Sequence, residues 1–180
     1  VQGANACVDR SLIDKYQAQI LAADIVITQC EIPIETIRYL IDFCAENDVH
    51  LILNPAPTPE IAPEYLAKVT FLTPNEIEIN QLFQQDAQTV LREHPNQIIM
   101  TYGAKGVRYH DREKLMEVPS YKVPVIDTTG AGDTFNAAFA VAYAKDQELE
   151  KAITFANLAA SKTVQGLGAQ SAMPRIEELV

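Results

Sequence analysis

The chain has 180 residues, 48% of them hydrophobic, and a formal net charge of -10 with a pI near 4.7. That length and apolar content support one substantial core and argue against a second complete domain, so residues 1–180 read as a single domain. The acidic balance excludes the electrostatic footprint expected for nucleic acid or an anionic membrane surface and points to small solutes, although backbone amides, a lysine or a metal ion can still hold a polyanion locally.

Taken in chain order, residues 11–22 form the first helical pattern, with Ser11 as its N-cap. A β-rich apolar run follows at 24–29, then a helix over 33–47 with Pro33 in its first turn. A second run spans 49–54, a short helix 60–67 and a third run 69–73; residues 76–93 are helical with a break near Gln84. After a fourth run at 97–101, residues 107–110 and 115–118 form an antiparallel hairpin around 111–114, and two Ala-rich helices cover 133–145 and 149–165. The four apolar runs read as strands buried on both faces. Strand alternating with helix predicts an α/β fold: a three-layer α/β/α arrangement with a mostly parallel sheet and the hairpin at one edge.

Ligands of such sheets bind beyond the carboxyl ends of the strands, which directs attention to Glu31, Asn54, Asn75, Gly103 and the segment starting at Asp127. The cysteines Cys7, Cys30 and Cys44 lack CxxC spacing and read as reduced thiols, and His50, His94 and His110 show no ligand spacing. No apolar run approaches the ~20 residues of a membrane span and no signal peptide is visible, so a cytoplasmic location is expected.

The most informative segment is Asp127-Thr128-Thr129-Gly130-Ala131-Gly132-Asp133-Thr134-Phe135-Asn136, a glycine-punctuated turn running into an apolar-periodic helix. Gly130 and Gly132 let amides approach an anion, and a helix N-terminus adds partial positive charge. Phosphoryl transfer needs such donors together with a carboxylate that takes the acceptor's proton, a role open to Asp133. A plain structural reading fits the same residues: Asp133 as N-cap and the glycines as a tight turn.

This segment resembles the carboxy-terminal signature of the PfkB family of carbohydrate kinases, and its ribokinase branch in particular. The resemblance extends through Gly3-Ala4-Asn5-Ala6, Gln29-Cys30-Glu31, Leu53-Asn54-Pro55-Ala56-Pro57, Thr73-Pro74-Asn75-Glu76-Ile77-Glu78 and Gly168-Ala169-Gln170. It implies a ribokinase-like fold, ATP as phosphoryl donor, a sugar as acceptor, Asp133 as catalytic base, and Gly130, Ala131 and Gly132 as the anion hole. Asn75 and Glu78 would organise Mg2+ and phosphates through water; as residue types, they also suit a turn and an acidic first helical turn. Thr101 and Gly103 would contact the nucleotide, though the loop's glycines also serve a turn. Asn157 would lie near the adenine or, failing that, be an exposed helix residue. Glu31 would hydrogen-bond the sugar, with Asp133 facing the reacting hydroxyl. A monovalent cation, K+, would be held by Asp127, Thr129, Thr163, Gly166 and Gly168, with Ala172 or Ser171 at the position of a last ligand.

Members of the family begin upstream of the residue matching Val1, with an acidic sugar-binding residue, a Gly-Gly loop and a β-sheet lid; none is present in this sequence. The expectation is a carboxy-terminal piece that binds nucleotide with little or no turnover, shows exposed sheet edges and lacks a lid-mediated dimer. D-ribose is the expected acceptor. A fructokinase, a nucleoside kinase or a ketodeoxygluconate kinase is the alternative within the fold, and a non-catalytic nucleotide-binding module the alternative outside it.

Overall fold

The computed structural model describes residues 3–146 and 148–179. Six strands, β1 (Val26–Gln29), β2 (Leu51–Asn54), β3 (Phe71–Leu72), β4 (Met100–Thr101), β5 (Val107–His110) and β6 (Leu115–Val118), run in sheet order β1-β2-β3 and β4-β5-β6. Parallel bridges Leu72–Ile98 and Asn75–Thr101 join the two groups. The β1 to β3 pairings are parallel, and the β4-β5-β6 meander is antiparallel.

Among the described residues eight α-helices cover this sheet: α1 (Arg10–Lys15), α2 (Gln17–Leu21), α3 (Ile34–Glu46), α4 (Pro63–Leu66), α5 (Glu76–Phe83), α6 (Ala87–Glu93), α7 (Ala131–Asp146) and α8 (Leu149–Thr163). Alternation along the strands sorts the core into two layers. Leu51, Leu53, Leu72, Ile98 and Met100 meet Ile37, Ile41, Ile79 and Leu91 of the earlier helices, while Ile52, Phe71 and Ile99 meet Phe135, Phe139, Ile153 and Ala156 of α7 and α8. Phe71 packs edge-on against Phe139, with centroids 5.0 Å apart. The three-layer α/β/α expectation is met.

Local chemistry explains most boundaries. Gln84 ends α5 in the left-handed region at φ 51°, where a non-glycine residue halts a helix, and Asp86 then caps α6 by accepting from the Thr89 amide. Asp111 accepts from Glu113 N and Lys114 N and so closes the hairpin. Three expectations need correction. Asp9, not Ser11, caps α1, accepting from Leu12 N at 3.0 Å, and the Ser11 hydroxyl supports the cap from 2.6 Å. The long first helix breaks at Tyr16 into α1 and α2. And β1 is not buried on both faces: it pairs only with β2 among the described residues, and Ile27 remains 37% exposed.

Candidate active site

The turn before α7 is held by close backbone approach. Gly130 has φ +80°, and a Cβ there would lie 2.6 Å from the Ala169 carbonyl oxygen, so only glycine allows the two loops to touch. α7 begins at Ala131, with Thr134 N bonded to Gly130 O at 2.9 Å. Asp133 therefore sits inside the first helical turn rather than at the cap, and its exposed carboxylate stands beside amides that have no partner in the helix. Gln29 at the end of β1 reaches it, Nε2 donating to Asp133 Oδ1 at 3.4 Å.

Behind this turn lies a buried polar link. The Thr73 hydroxyl donates to Asn136 Oδ1 at 2.7 Å, and Asn136 Nδ2 donates to the Gly132 carbonyl at 2.9 Å. The glycine turn is thus tied to the loop that follows β3. There Asn75 and Glu78 form a reciprocal cap: Asn75 Oδ1 accepts from the amides of Ile77 and Glu78, and Glu78 Oε2 accepts from Asn75 N at 2.7 Å. Burial pushes the Glu78 carboxyl up, opposed by that amide bond. The cap occupies Asn75 Oδ1 and Glu78 Oε2; Asn75 Nδ2 and Glu78 Oε1 lie outside it.

Thr101 adjoins this cap, its amide bonded to Pro74 O at 2.9 Å, and Gly103 follows, exposed, in the loop closed by Tyr102 N to Gly106 O at 2.7 Å. The structure thereby brings Asn75, Glu78, Thr101 and Gly103 to neighbouring strand ends. Across the site Glu31 accepts from Asn5 Nδ2 at 3.4 Å, joining the Gly3–Cys7 3-10 turn to the end of β1.

Asp127 holds the second loop. Its Oδ1 accepts from the amide and hydroxyl of Thr129 and its Oδ2 from Gly168 N at 2.9 Å; these bonds, the Thr129 amide first, keep its carboxyl below the usual carboxylate range. Thr163 is fully buried, with its hydroxyl hydrogen-bonded to the Thr134 hydroxyl and to Ala159 O, so only its carbonyl, which already accepts from Gly166 N, could face a cation. The Ser171 hydroxyl is bonded to Leu167 O, and the Ala172 methyl lies against Gly166. The Asp127 carboxylate and the carbonyls of the loop it holds are oxygen ligands, the kind a hard cation takes. Among the described residues no three His, Cys, Asp or Glu side chains form a metal cluster.

Asn157 is neither exposed nor free. It is 5% exposed, and its Nδ2 donates to Val118 O at 3.1 Å and Pro119 O at 3.3 Å, bracing α8 against the end of β6. The cysteines are free: Cys7 exposed, Cys30 half-buried, Cys44 buried. Burial pushes the Cys30 thiol up to about 12, with the Glu78 charge adding to it, so it resists ionisation beside Glu31. Sequence reasoning did not single out Gln29, Thr73 or Asn136 as site residues. The available signal was Asn136 itself, an amide in an apolar helix four residues after Gly132.

Known proteins resemble this chain along nearly its whole length. Residues 2–176 match the pfkB family carbohydrate kinase domain. The chain belongs to that family. It is 42% identical to the ribokinase of Bacillus subtilis strain 168 over 184 aligned residues, covering 100% of this chain and 63% of that protein. Among solved structures it resembles the Thermotoga maritima ribokinase with TM-score 0.86 and 36% identity, and the Arabidopsis thaliana ribokinase complexed with ribose and ATP with TM-score 0.84 and 32% identity. Each alignment covers 99% of this chain and 62% of the other. The chain thus spans under two thirds of the length of these relatives. No helix among the described residues is long and apolar enough to cross a membrane.

Proposed function

We propose that this chain is the nucleotide-binding and phosphoryl-transfer part of an ATP-dependent ribokinase, acting on D-ribose and ATP to give ribose 5-phosphate and ADP. One observation carries the reading: Asp133 presents its carboxylate from the first turn of α7, directly after a glycine turn whose amides make no helix bond, the Ala131 amide resting on Thr128 O at 3.2 Å. Similarity to a ribokinase complexed with ribose and ATP supplies the substrate class.

In this reading Asp133 takes the proton of the sugar hydroxyl as its oxygen attacks the γ-phosphorus and the bond to the departing ADP oxygen breaks. Amides of Gly130, Ala131 and Gly132 face the charge that builds on the phosphoryl oxygens. Glu31 orients the sugar; Thr101 and Gly103 line the nucleotide, with Asn157 bracing the adenine side from behind. Asn75 and Glu78 would hold Mg2+, and Asp127, Thr129, Thr163, Gly166 and Gly168 would hold K+; bound there, the two ions would supply positive charge against the phosphates and beside the glycine turn. Asp127 meanwhile keeps the 168–169 loop pressed on Gly130. The 180 residues act as one nucleotide-binding unit, with few sugar contacts of their own, so weak turnover is expected.

The test is calorimetry with Mg2+-ATP together with ADP release, with and without D-ribose, for the wild type and Asp133→Asn. Ribose-dependent release lost in the variant establishes transfer and the base. ATP binding without release confines the chain to the nucleotide half. Absence of both binding and release sinks the reading.

A further inference from the structure

The carboxylate of a residue in a first helical turn has an easy alternative to facing substrate: it can fold back onto the free amides of its own turn. A base of that kind needs something to hold it outward, and β1 supplies a candidate. Ile25 packs into the α7–α8 layer and Val26 into the opposite one, so by strand alternation residues 25, 27 and 29 look toward α7. Gln29 is the last of these, and its Nε2 donates to Asp133 Oδ1 at 3.4 Å across 104 positions of sequence.

We infer that Gln29 is the positioning residue for Asp133. This rests on Asp133 being the base. One amide hydrogen of Gln29 engages Oδ1, which fixes the carboxylate rotamer and leaves Oδ2 for the acceptor hydroxyl. A neutral donor suits the task, because a lysine would lock the carboxylate in an ion pair and an acid would repel it. The contact is long, as bonds to catalytic carboxylates are before substrate fills the site, and it shortens as the ternary complex forms. Glu31, two residues beyond on the same strand end, places the sugar beside this pair; thus β1 would orient both the acceptor and the group that deprotonates it.

Two measurements test the inference. In the first, the Gln29 side-chain amide resonance is followed by NMR through the acid titration of the Asp133 carboxyl carbon, in the wild type and Asp133→Asn, and the Asp133 χ1 couplings are compared with those in Gln29→Leu, which keeps the volume. The expected result is a Gln29 amide that moves with the Asp133 titration and stays still in Asp133→Asn, with a single Asp133 rotamer that becomes averaged in Gln29→Leu. An amide indifferent to Asp133, or an unchanged rotamer, overturns the inference whether or not the chain turns over. In the second, Gln29→Leu lowers ribose-dependent kcat about tenfold with KM for ATP unchanged. Equal kcat in an active wild type and Gln29→Leu also overturns it, whereas a wild type that neither binds ATP nor transfers counts against the kinase reading and leaves the NMR result to decide the positioning.

Discussion

Replacing Thr73 by Val tests the buried link that ties the glycine turn to β3. Thr73 and Asn136 are 2% and 3% exposed, and the hydroxyl-to-amide bond between them is 2.7 Å long. Valine keeps the shape and removes the hydroxyl, leaving Asn136 Oδ1 buried with no donor from β3. An orphaned buried acceptor costs about 1–3 kcal/mol, and the added methyl returns up to about 0.8 kcal/mol. The net loss therefore falls between about 0.2 and 3 kcal/mol, and in a chain of this size each kcal/mol lowers Tm by about 2–4 °C. Urea unfolding should show a lower midpoint at unchanged slope. In a double-mutant cycle with Asn136→Leu, the combined loss should fall short of the sum by about 1 kcal/mol, since either change breaks the same bond. An additive cycle would refute the coupling.

Gly130→Ala forces a Cβ into the Ala169 carbonyl at φ +80°; a loss of about 2–3 kcal/mol and weaker ATP binding are expected from thermal unfolding and calorimetry. Asn54 Oδ1 is buried without a hydrogen-bond partner, so Asn54→Leu should be neutral or stabilise the unliganded chain by up to about 1 kcal/mol in urea titrations, and a clear loss would mean the oxygen is satisfied. Asp127 has a folded pKa below its ordinary 3.8, so its contribution is fully present above that value and is lost as pH falls through the lower folded value. Stability curves of the wild type and Asp127→Asn should accordingly differ at neutral pH and converge in acid.

Much of the fold was legible because its signals are local. The break at Gln84, the hairpin around 111–114 and the start of α3 after Pro33 all depend on side chains within a few residues of the feature. What was not legible depends on partners far along the chain. An apolar run reads alike at the centre or the edge of a sheet, so the exposure of Ile27 follows only from the strand order. Asp9 and Ser11 are both good caps, and geometry chose the first. Asn157 is buried because carbonyls 38 and 39 residues away accept its amide hydrogens. Whether Asp133 caps α7 or stands in its first turn turned on where the helix starts, at Ala131.

The polar residues that sequence reasoning passed over meet at one place, Gln29 and Thr73 at the strand ends facing α7 and Asn136 on α7 itself. Gly132 and Asp133 are adjacent in sequence yet anchored to different strands: the Gly132 carbonyl through Asn136 to Thr73 after β3, and the Asp133 carboxylate to Gln29 of β1. The α7 turn also touches the loop held by Asp127 through Gly130. Three anchors from separate parts of the chain leave the first turn of α7 little freedom to rotate or slide. On the proposed reading, loss of either strand anchor should therefore disturb alignment of the carboxylate with the acceptor more than the affinity for nucleotide, because the amides and loops that would face the phosphates remain tied by the other two.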